Sequence, residues 1–532
     1  MTTTPKTSFE YQVEDDSITI IEFVGEETDV VIPDEIDGLP VRTIGEWAFE
    51  DCAGLTSVTI PEGVETMECG AFSGCERLAS VTIPKSVEMI GGGAFSGCTE
   101  LMSIPVEEKN PHLKSVEGVV YTKDGTTLCA YPAGKKGSFM IPEGVGTIGE
   151  YAFKGCKGLT SVSIPESVKM IESGAFSGCT GLKSITIPGS VEAIGGWLFS
   201  DCTGLTSVTI SDGVKTIEDR AFADCSGLTS VTLPDSVETI GEFAFSGCTS
   251  LASVTIPGSV ETIGEGVFAS CVGLTSIQVA EENPHFKSVE GIFYTKDGTT
   301  LCVYPAGKRG HFTIPGSVEA IGDWTFYRCV GLTSITIPKG VKEIGAFAFY
   351  GCEGLTSVSI PESVKTIERL AFEKCTGLAS VTIPGSVETI GERAFSGCKG
   401  LASIHVVEEN PHFKSVEGVV YTKDGTTLCV YPAGKRGHFT IPDGVEAIGG
   451  YAFRGCTGLA SVTIPDGVKT IGEFAFYDCT GLTSITIPGS VMEIEEWAFL
   501  RCESLTIHAP AGAAAEKYAR QNRVPFVATD SI

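Results

Sequence analysis

Leu55-Thr56-Ser57-Val58-Thr59-Ile60-Pro61-Glu62-Gly63-Val64-Glu65-Thr66-Met67-Glu68-Cys69-Gly70-Ala71-Phe72-Ser73-Gly74-Cys75 is one lap of this chain written out in full. The same phrase returns with small changes, and its closing cysteine recurs every 23 residues: at Cys52, Cys75 and Cys98, from Cys156 to Cys271, from Cys329 to Cys398, and from Cys456 to Cys502. A fixed period of this size marks a solenoid, in which each unit buries its apolar face only against its neighbours. Length here counts laps, not globular domains.

Inside the lap, Val58 and Ile60 alternate with Ser57 and Thr59, which predicts a short strand with Val and Ile inward and Ser and Thr outward. Pro61 ends the strand because it cannot donate to a ladder. Glu62-Gly63 turns the chain, and Val64 and Met67 supply a second inward pair. Ala71 to Cys75 is expected to make a single helical or 3-10 turn that places Phe and Cys in the core.

Three laps are longer and nearly identical to one another: 104–138, 277–311 and 404–438. Asp297-Gly298, between two β-rich runs, reads as a two-residue hairpin turn. Each long lap is therefore expected to project a β-hairpin where a regular lap has its Ala-Phe turn, tipped by Lys123-Asp124, Lys296-Asp297 and Lys423-Asp424. Residues 9–30 read as strands covering the first rung, 511–523 as a helix and 524–527 as a short strand. The predicted organisation is an N-terminal β cap over 1–30, a solenoid over 31–508 and a helix-strand cap over 509–532. A chain capped at both ends is expected to be complete, to fold alone and to be a monomer.

Net charge is −30, from 67 acidic against 37 basic residues, so nucleic acid and anionic membranes should repel this chain. No run of 18 apolar residues predicts a membrane span, and the first ten residues do not read as a secretory signal. No anchor motif is visible either, so the expected address is cytoplasmic by default; the alternative is the cell surface, or secretion by a non-classical route. Of the 20 cysteines, sixteen share one repeat position, Cys129, Cys302 and Cys429 share a second, and Cys69 stands alone. Stacked, parallel Cβ vectors do not give the dihedral a disulfide needs, so these thiols are expected to act as small buried hydrophobes.

The phrase I-P-x-x-V-x-x-I-G-x-x-A-F-x-x-C-x-x-L, the long lap N-P-H-F-K-S-V-E-G-(V/I)-(V/F)-Y-T-K-D-G and the closing A-P-A-G-A-A-A-E-K-Y-A-R-Q-N-R-V-P-F-V together resemble the BspA-like leucine-rich repeat proteins, over essentially the whole chain. Leu55, Val58 and Ile60 match the L-x-x-L-x-L spacing of such repeats. The resemblance implies a mostly β leucine-rich repeat solenoid, curved as a right-handed superhelix, with a parallel sheet on its concave side and the short turns on its convex side. It also implies an adhesin-like role, since better-known members look like surface adhesins that bind host matrix proteins or other bacteria. This chain departs from them in showing no export signal, wall anchor or accessory domain.

Two rows of hydroxyls face outward. One is serine, beginning at Ser57; the other is mostly threonine, at Thr59, Thr82, Thr186, Thr209, Thr232, Thr255, Thr336, Thr382, Thr463 and Thr486. Such rows could seat a partner, and they are also what β propensity and cross-strand hydroxyl pairing select on any solvated sheet. The threonine row breaks at Pro105, Gln278 and His405, where specificity would be written. The basic loop Lys308-Arg309 could grip an acidic partner, and Tyr121, Tyr294 and Tyr421 on the hairpins could stack on sugar rings or pack the hairpin base. His112, His285 and His412 are copies of one position laps apart, and cannot converge on one ion. No Walker A motif or paired-cysteine zinc spacing occurs. These readings lead to a non-enzymatic scaffold that binds a protein partner through the Ser/Thr sheet and hairpins, with neither cofactor nor metal expected. The alternative is a carbohydrate-binding surface protein that uses the hairpin aromatics.

Overall fold

The structure, a computed structural model, describes residues 3–529; residues 1–2 and 530–532, which the predicted caps include, lie outside the described residues. The chain divides into two compact units, Met1–His285 and Phe286–Ile532. Both are stacks of the 23-residue lap.

Each lap contributes to two short parallel ladders. In the first, Ser184–Ile187, Ser207–Ile210 and Ser230–Thr232 pair in register, Ser on Ser and Thr on Thr. Ile185, Val208 and Val231 are buried between exposed hydroxyl residues, as the alternation predicts. The second ladder was not foreseen as a strand. It is two residues wide, running Thr216–Ile217, Thr239–Ile240, Thr262–Ile263 with Ile inward.

The remaining side of the lap corrects the expected helical or 3-10 turn. Gly70 and Gly74 have φ of 65° and 74°, and left-handed residues four apart cannot belong to one right-handed helix. The result is a run of tight turns in which N–H groups alternate in direction. Ala71, Ser73 and Cys75 donate within the lap, to Glu68, Gly70 and Phe72 carbonyls, whereas Gly70, Phe72 and Gly74 donate to Gly92, Ala94 and Ser96 of the next lap at 2.8–3.0 Å. All three sides of the lap are thereby bonded to the neighbouring lap.

The core is a column of like on like. In the first unit the rings of Phe153, Phe176, Phe199, Phe222, Phe245 and Phe268 follow one another with centroids 4.8–5.8 Å apart. In the second, Phe326, Phe349, Phe372 and Phe395 do the same. The repeat cysteines lie beside this column as free thiols. Most donate to the phenylalanine carbonyl 26 residues earlier, as Cys225 Sγ does to Phe199 O at 3.0 Å, whereas Cys156, Cys329 and Cys456 after the long laps reach the tyrosine carbonyl 25 residues earlier at 3.7–4.0 Å.

The long laps do contain hairpins, with two corrections. In the first, Leu113–Val116 and Val119–Thr122 pair around Glu117-Gly118, both left-handed, and this is the two-residue turn. The Asp-Gly turn is a four-residue loop, Lys123 to Thr126, leading to Thr127–Ala130. Thr127-Leu128 pairs with Thr147-Ile148 of the second ladder, so the hairpin is inserted between the two ladders and does not replace the Ala-Phe turn. Nor does it stand free. Its Gly118 carbonyl accepts from Ile104 N at 2.9 Å, and a Cβ on Gly118 would meet Ser103. The Ala-Phe turn is replaced instead by Tyr131-Pro-Ala-Gly, whose Tyr131 ring stacks on Phe153 at 4.8 Å and continues the aromatic column.

Each long lap is pinned by a fully buried asparagine. Asn410 Nδ2 donates to Pro384 O and Val387 O, both at 2.9 Å, and its Oδ1 accepts from His412 N and Phe413 N, both at 2.8 Å. Asn110 does the same in the first unit.

At the ends, Phe9–Glu14 pairs antiparallel with Ser17–Phe23, which heads the second ladder through Leu39–Ile44. The helix Ala514–Asn522 sets Tyr518 edge-on to Phe499, and Phe526–Thr529 pairs with Thr506–Pro510. Among the described residues no helix is long and apolar enough to cross a membrane.

Asn410→Ala removes four hydrogen bonds at once: the buried Val387 carbonyl loses this partner, the Pro384 carbonyl keeps only Val387 N at 3.3 Å, and the part-buried N–H groups of His412 and Phe413 lose their acceptor. It should destabilise the chain by about 3 kcal/mol or more, each orphaned group costing about 1–3 kcal/mol before relaxation. Urea unfolding of the variant against wild type checks this.

Candidate functional site

The open side of the first ladder carries most of the candidate residues, and the structure leaves them in water. Thr59, Thr82, Thr186, Thr209, Thr232, Thr255 and Gln278 in the first unit are exposed, as are Thr336, Thr382, His405, Thr463 and Thr486 in the second; Ser57 is half-buried. Ser57 is engaged, since its hydroxyl donates to Asp29 Oδ1 at 2.5 Å. Gln278 Nε2 donates to Ser276 Oγ at 2.6 Å. Among the described residues, the hydroxyls of Thr59, Thr82, Thr186, Thr209, Thr232, Thr255, Thr382, Thr463 and Thr486 make no hydrogen bond to the protein.

Histidines enrich this face in the second unit. His405 pairs in register with Thr382, and His508 with Thr486, so both stand in the threonine row. His311 and His438 stand in the serine row. Each straddles the two rows, with Nδ1 2.8 Å from Ser334 or Ser461 Oγ and Nε2 3.1 Å from Thr313 or Thr440 Oγ1. Sequence reasoning placed only His405 on this face, as a break in the threonine row, and missed His311 and His438. Their signal was Gly-His-Phe-Thr at 310–313 and 437–440, which is the Ser-Val-Thr strand in another spelling. Among the described residues no group of three or more His, Cys, Asp or Glu side chains is arranged to hold a metal ion.

The hairpin tyrosines leave the candidate surface. Tyr121, Tyr294 and Tyr421 are each 3% exposed, so a sugar has no ring face to reach; burial also pushes their hydroxyls up to about 12. They pack the hairpin base. Lys308 is half-buried and Arg309 exposed. The exposed part of each hairpin is its loop, where Asp424 Oδ1 accepts from Thr422 Oγ1, Thr426 N and Thr426 Oγ1 at 2.6–3.0 Å. Asp124 and Asp297 are held alike, and these donors bring all three carboxyls down to about 2.

Another surface went unnoticed in the sequence. The residue before Ala-Phe is left-handed in lap after lap, and all four tryptophans of the chain occupy it: Trp47, Trp197, Trp324 and Trp497, with φ of 53–60°. Tyr151, Phe243, Phe347, Tyr451 and Phe474 share the position. The rings stack along the turn edge, Trp324 on Phe347 at 4.0 Å and Phe474 on Trp497 at 5.1 Å. Arginines intercalate: Arg220 lies 4.7 Å from the Trp197 ring and 4.9 Å from the Phe243 ring.

A family model described as BspA type leucine-rich repeat region, in six copies, matches residues 28–118, 131–226, 169–296, 304–416 and 432–511. The chain belongs to this family. A search of curated protein sequences finds no match. Among solved structures, this BspA-type repeat chain is similar to a leucine-rich cell surface protein from Faecalibacterium prausnitzii, at 23% identity over 100% of this chain and 99% of that one with a TM-score of 0.32. It is also similar to a leucine-rich repeat protein from Bacteroides ovatus, at 25% identity over 94% and 98% with a TM-score of 0.34. The pneumococcal vaccine antigen PcpA is 18% identical over 100% and 99%, with a TM-score of 0.34.

Two outcomes follow from the ionisable groups of this repeat stack. The hairpin aspartates have folded values near 2 against about 3.9 unfolded. Their contribution to stability is therefore present above about pH 4 and is lost as pH falls towards 2. A triple Asp124→Asn, Asp297→Asn, Asp424→Asn variant should show a flatter decline of the urea midpoint between about pH 4 and 2 than wild type. Among the repeat thiols, the half-exposed Cys52 is lowered by the Cys75 thiol alongside, whereas burial pushes Cys98 and Cys271 up to about 12. Because the thiolate is the nucleophile, brief alkylation of the folded chain at about pH 8 should label Cys52 well ahead of Cys98 and Cys271, read by peptide mass spectrometry.

Proposed function

We propose that this chain is a non-enzymatic scaffold that binds a protein partner, laid along the hydroxyl face of the first ladder. Specificity is set where laps depart from the repeat, at Gln278, His311, His405 and His438, with Lys308 and Arg309 just before His311 in the chain. The observation supporting this reading is the state of the threonine row, whose hydroxyls, apart from Thr313, Thr336 and Thr440 beside His311 and His438, are exposed and among the described residues make no bond to the protein. If the row existed to tie strands together, these hydroxyls would pair across strands. On the second ladder that pairing does occur, with Thr262 Oγ1 donating to Thr239 Oγ1 at 3.1 Å. A regular stack also presents the same side chains in every lap, an arrangement suited to an extended ligand and unsuited to gathering the unlike groups that catalysis requires.

The test is a protein array probed with wild type and with a Thr209→Arg/Thr232→Arg variant. Both sites are exposed, so folding stability should stay within about 0.5 kcal/mol. Specific signals should weaken at least ~10-fold, the size expected when a central contact is lost. Binding that the double substitution leaves intact would place the partner elsewhere.

A further inference from the structure

Three separate laps of the second unit depart from the repeat at positions that meet in space. Glu373 follows Phe372, Arg393 precedes Ala394-Phe395, and Arg454 follows Phe453; at the corresponding places around the first long lap stand Ser73, Gly93 and Lys154. Because the third long lap replaces its Ala-Phe turn with Tyr431-Pro-Ala-Gly, the turn edges of the laps on either side approach one another. Gly455 reaches Gly397 closely enough that a Cβ on it would lie 3.2 Å from the Gly397 Cα. Beside this contact a slot of about 200 Å³ remains, lined by Arg393, Ser396, Tyr431, Tyr451 and Arg454, with Glu392 at its exposed rim.

The charges in this slot are unevenly partnered. Glu373 is 2% exposed and takes a two-pronged bond from Arg393, Nε and Nη2 each at 2.9 Å. Each of its oxygens accepts one of these bonds. Arg454 comes no nearer than 4.0 Å to Glu373, and its side chain is 18% exposed. Among the described residues its guanidinium makes no hydrogen bond; it only stacks, 4.3 Å from the Tyr477 ring and 5.9 Å from the Tyr451 ring, with Arg393 5.8 Å from that same Tyr451. The guanidinium keeps only part of its water and has no protein acceptor within hydrogen-bond distance among the described residues, which makes its charge costly to hold there. Burial lowers the Arg454 pKa, and the nearby Arg393 charge adds to the effect.

We propose that the slot between Arg393 and Arg454 is a binding site for a carboxylate, which the Arg454 guanidinium, paired to Glu373 only at 4.0 Å and without a hydrogen bond to the protein, receives in the fork geometry natural to that pair. The site lies on the turn edge of the lap and does not rest on the hydroxyl-face reading. Glu373 pairs with Arg393 and Glu392 stands at the rim, so two glutamates already flank the two arginines; a singly charged carboxylate suits such a site better than a phosphate dianion. Pockets for whole drug-sized molecules run to about 300–1,000 Å³. A 200 Å³ slot takes one acidic side chain, a chain end or a small organic acid.

The experiment titrates the full-length protein with acetate, succinate, a short glutamate-rich peptide and inorganic phosphate at up to ~10 mM, read by calorimetry and by the rise in melting temperature that ligand binding imposes. Carboxylate probes should bind wild type and raise its melting temperature, and Arg454→Gln should weaken them at least ~10-fold. A peptide that binds more tightly than succinate identifies a partner's acidic residue as the source; equal binding identifies a small acid. The ligand-free Arg454→Gln protein should melt at or above the wild-type temperature, because a poorly paired, repelled charge has gone. Arg393→Gln, which strands buried Glu373, should melt lower. The proposal is overturned if no carboxylate binds wild type, if phosphate binds better than carboxylate, or if Arg454→Gln melts as low as Arg393→Gln, which would make Arg454 part of a purely structural ion network.

Discussion

Everything in this molecule depends on identical laps stacking in register, each bonded to the next along three sides. Register gives every side chain a copy of itself as its neighbour above and below. For apolar and aromatic groups this is favourable: a phenylalanine on a phenylalanine gains its burial plus about 0.5–1.5 kcal/mol of ring contact. For a small thiol it is harmless, because the sulfur donates to the carbonyl of the previous lap and does not meet its copy as a charge. For charged groups it is unfavourable, and the chain opposes them at some laps only. Lys215 faces Glu192, Lys365 faces Glu388 and Lys469 faces Glu446, each 23 residues apart. Such exposed pairs contribute little individually, and like charges still stand in register at Glu65 and Glu88, Glu238 and Glu261, and Lys342 and Lys365, where exposure to water keeps the repulsion small.

The turn edge shows the same constraint acting on the backbone. Directing every second N–H at the next lap requires left-handed residues, at a cost of roughly 1–2 kcal/mol for a residue with a side chain. Glycine removes that cost at Gly70, Gly93, Gly174 and Gly266. Elsewhere the position holds a large aromatic side chain in most laps and Arg220, Leu370 or Arg393 in the others, and the stacking of ring on ring or arginine on ring is of the same order as the strain. Where an aromatic lap is followed by a glycine lap, the ring folds over the glycine, as Trp47 does over Gly70 and Tyr151 over Gly174. The edge is held by this exchange of backbone strain for side-chain contact.

Much of this was legible in the sequence, because the 23-residue period and the in-out alternation of Ser-Val-Thr-Ile report burial directly. The terminal strands and helix and the existence of hairpins were legible too, since antiparallel strands and an alanine-rich helix carry their own local patterns. Three features were hidden, each for a physical reason. The second ladder is only two residues wide, too short for any periodicity to show. The hairpin position was misread because Asp-Gly is the stronger turn signal in isolation, while Glu117-Gly118 lies in the tight turn; the Asp424 carboxylate instead organises a longer loop through its three bonds to Thr422 and Thr426. The turn edge was opaque because a tryptophan in a left-handed, exposed position contradicts what residue preference alone would select.

In a repeat protein the informative residues are those that break the pattern, and what they mean depends on whether the breaks converge. His112, His285 and His412 are a pattern of their own, repeated with the long laps, and never meet. Glu373, Arg393 and Arg454 look like three unrelated variants in the sequence, separated by 20 and 61 positions. The omitted Ala-Phe turn of the third long lap is what brings the last of them against the first two. Stacking alone would have set Arg454 against another turn-edge residue one lap away; removing one turn from the edge sets it across a gap. A long lap is thus more than an inserted hairpin. It interrupts the like-on-like rule at one edge of the stack, and that interruption is where a solenoid can assemble unlike groups into a site.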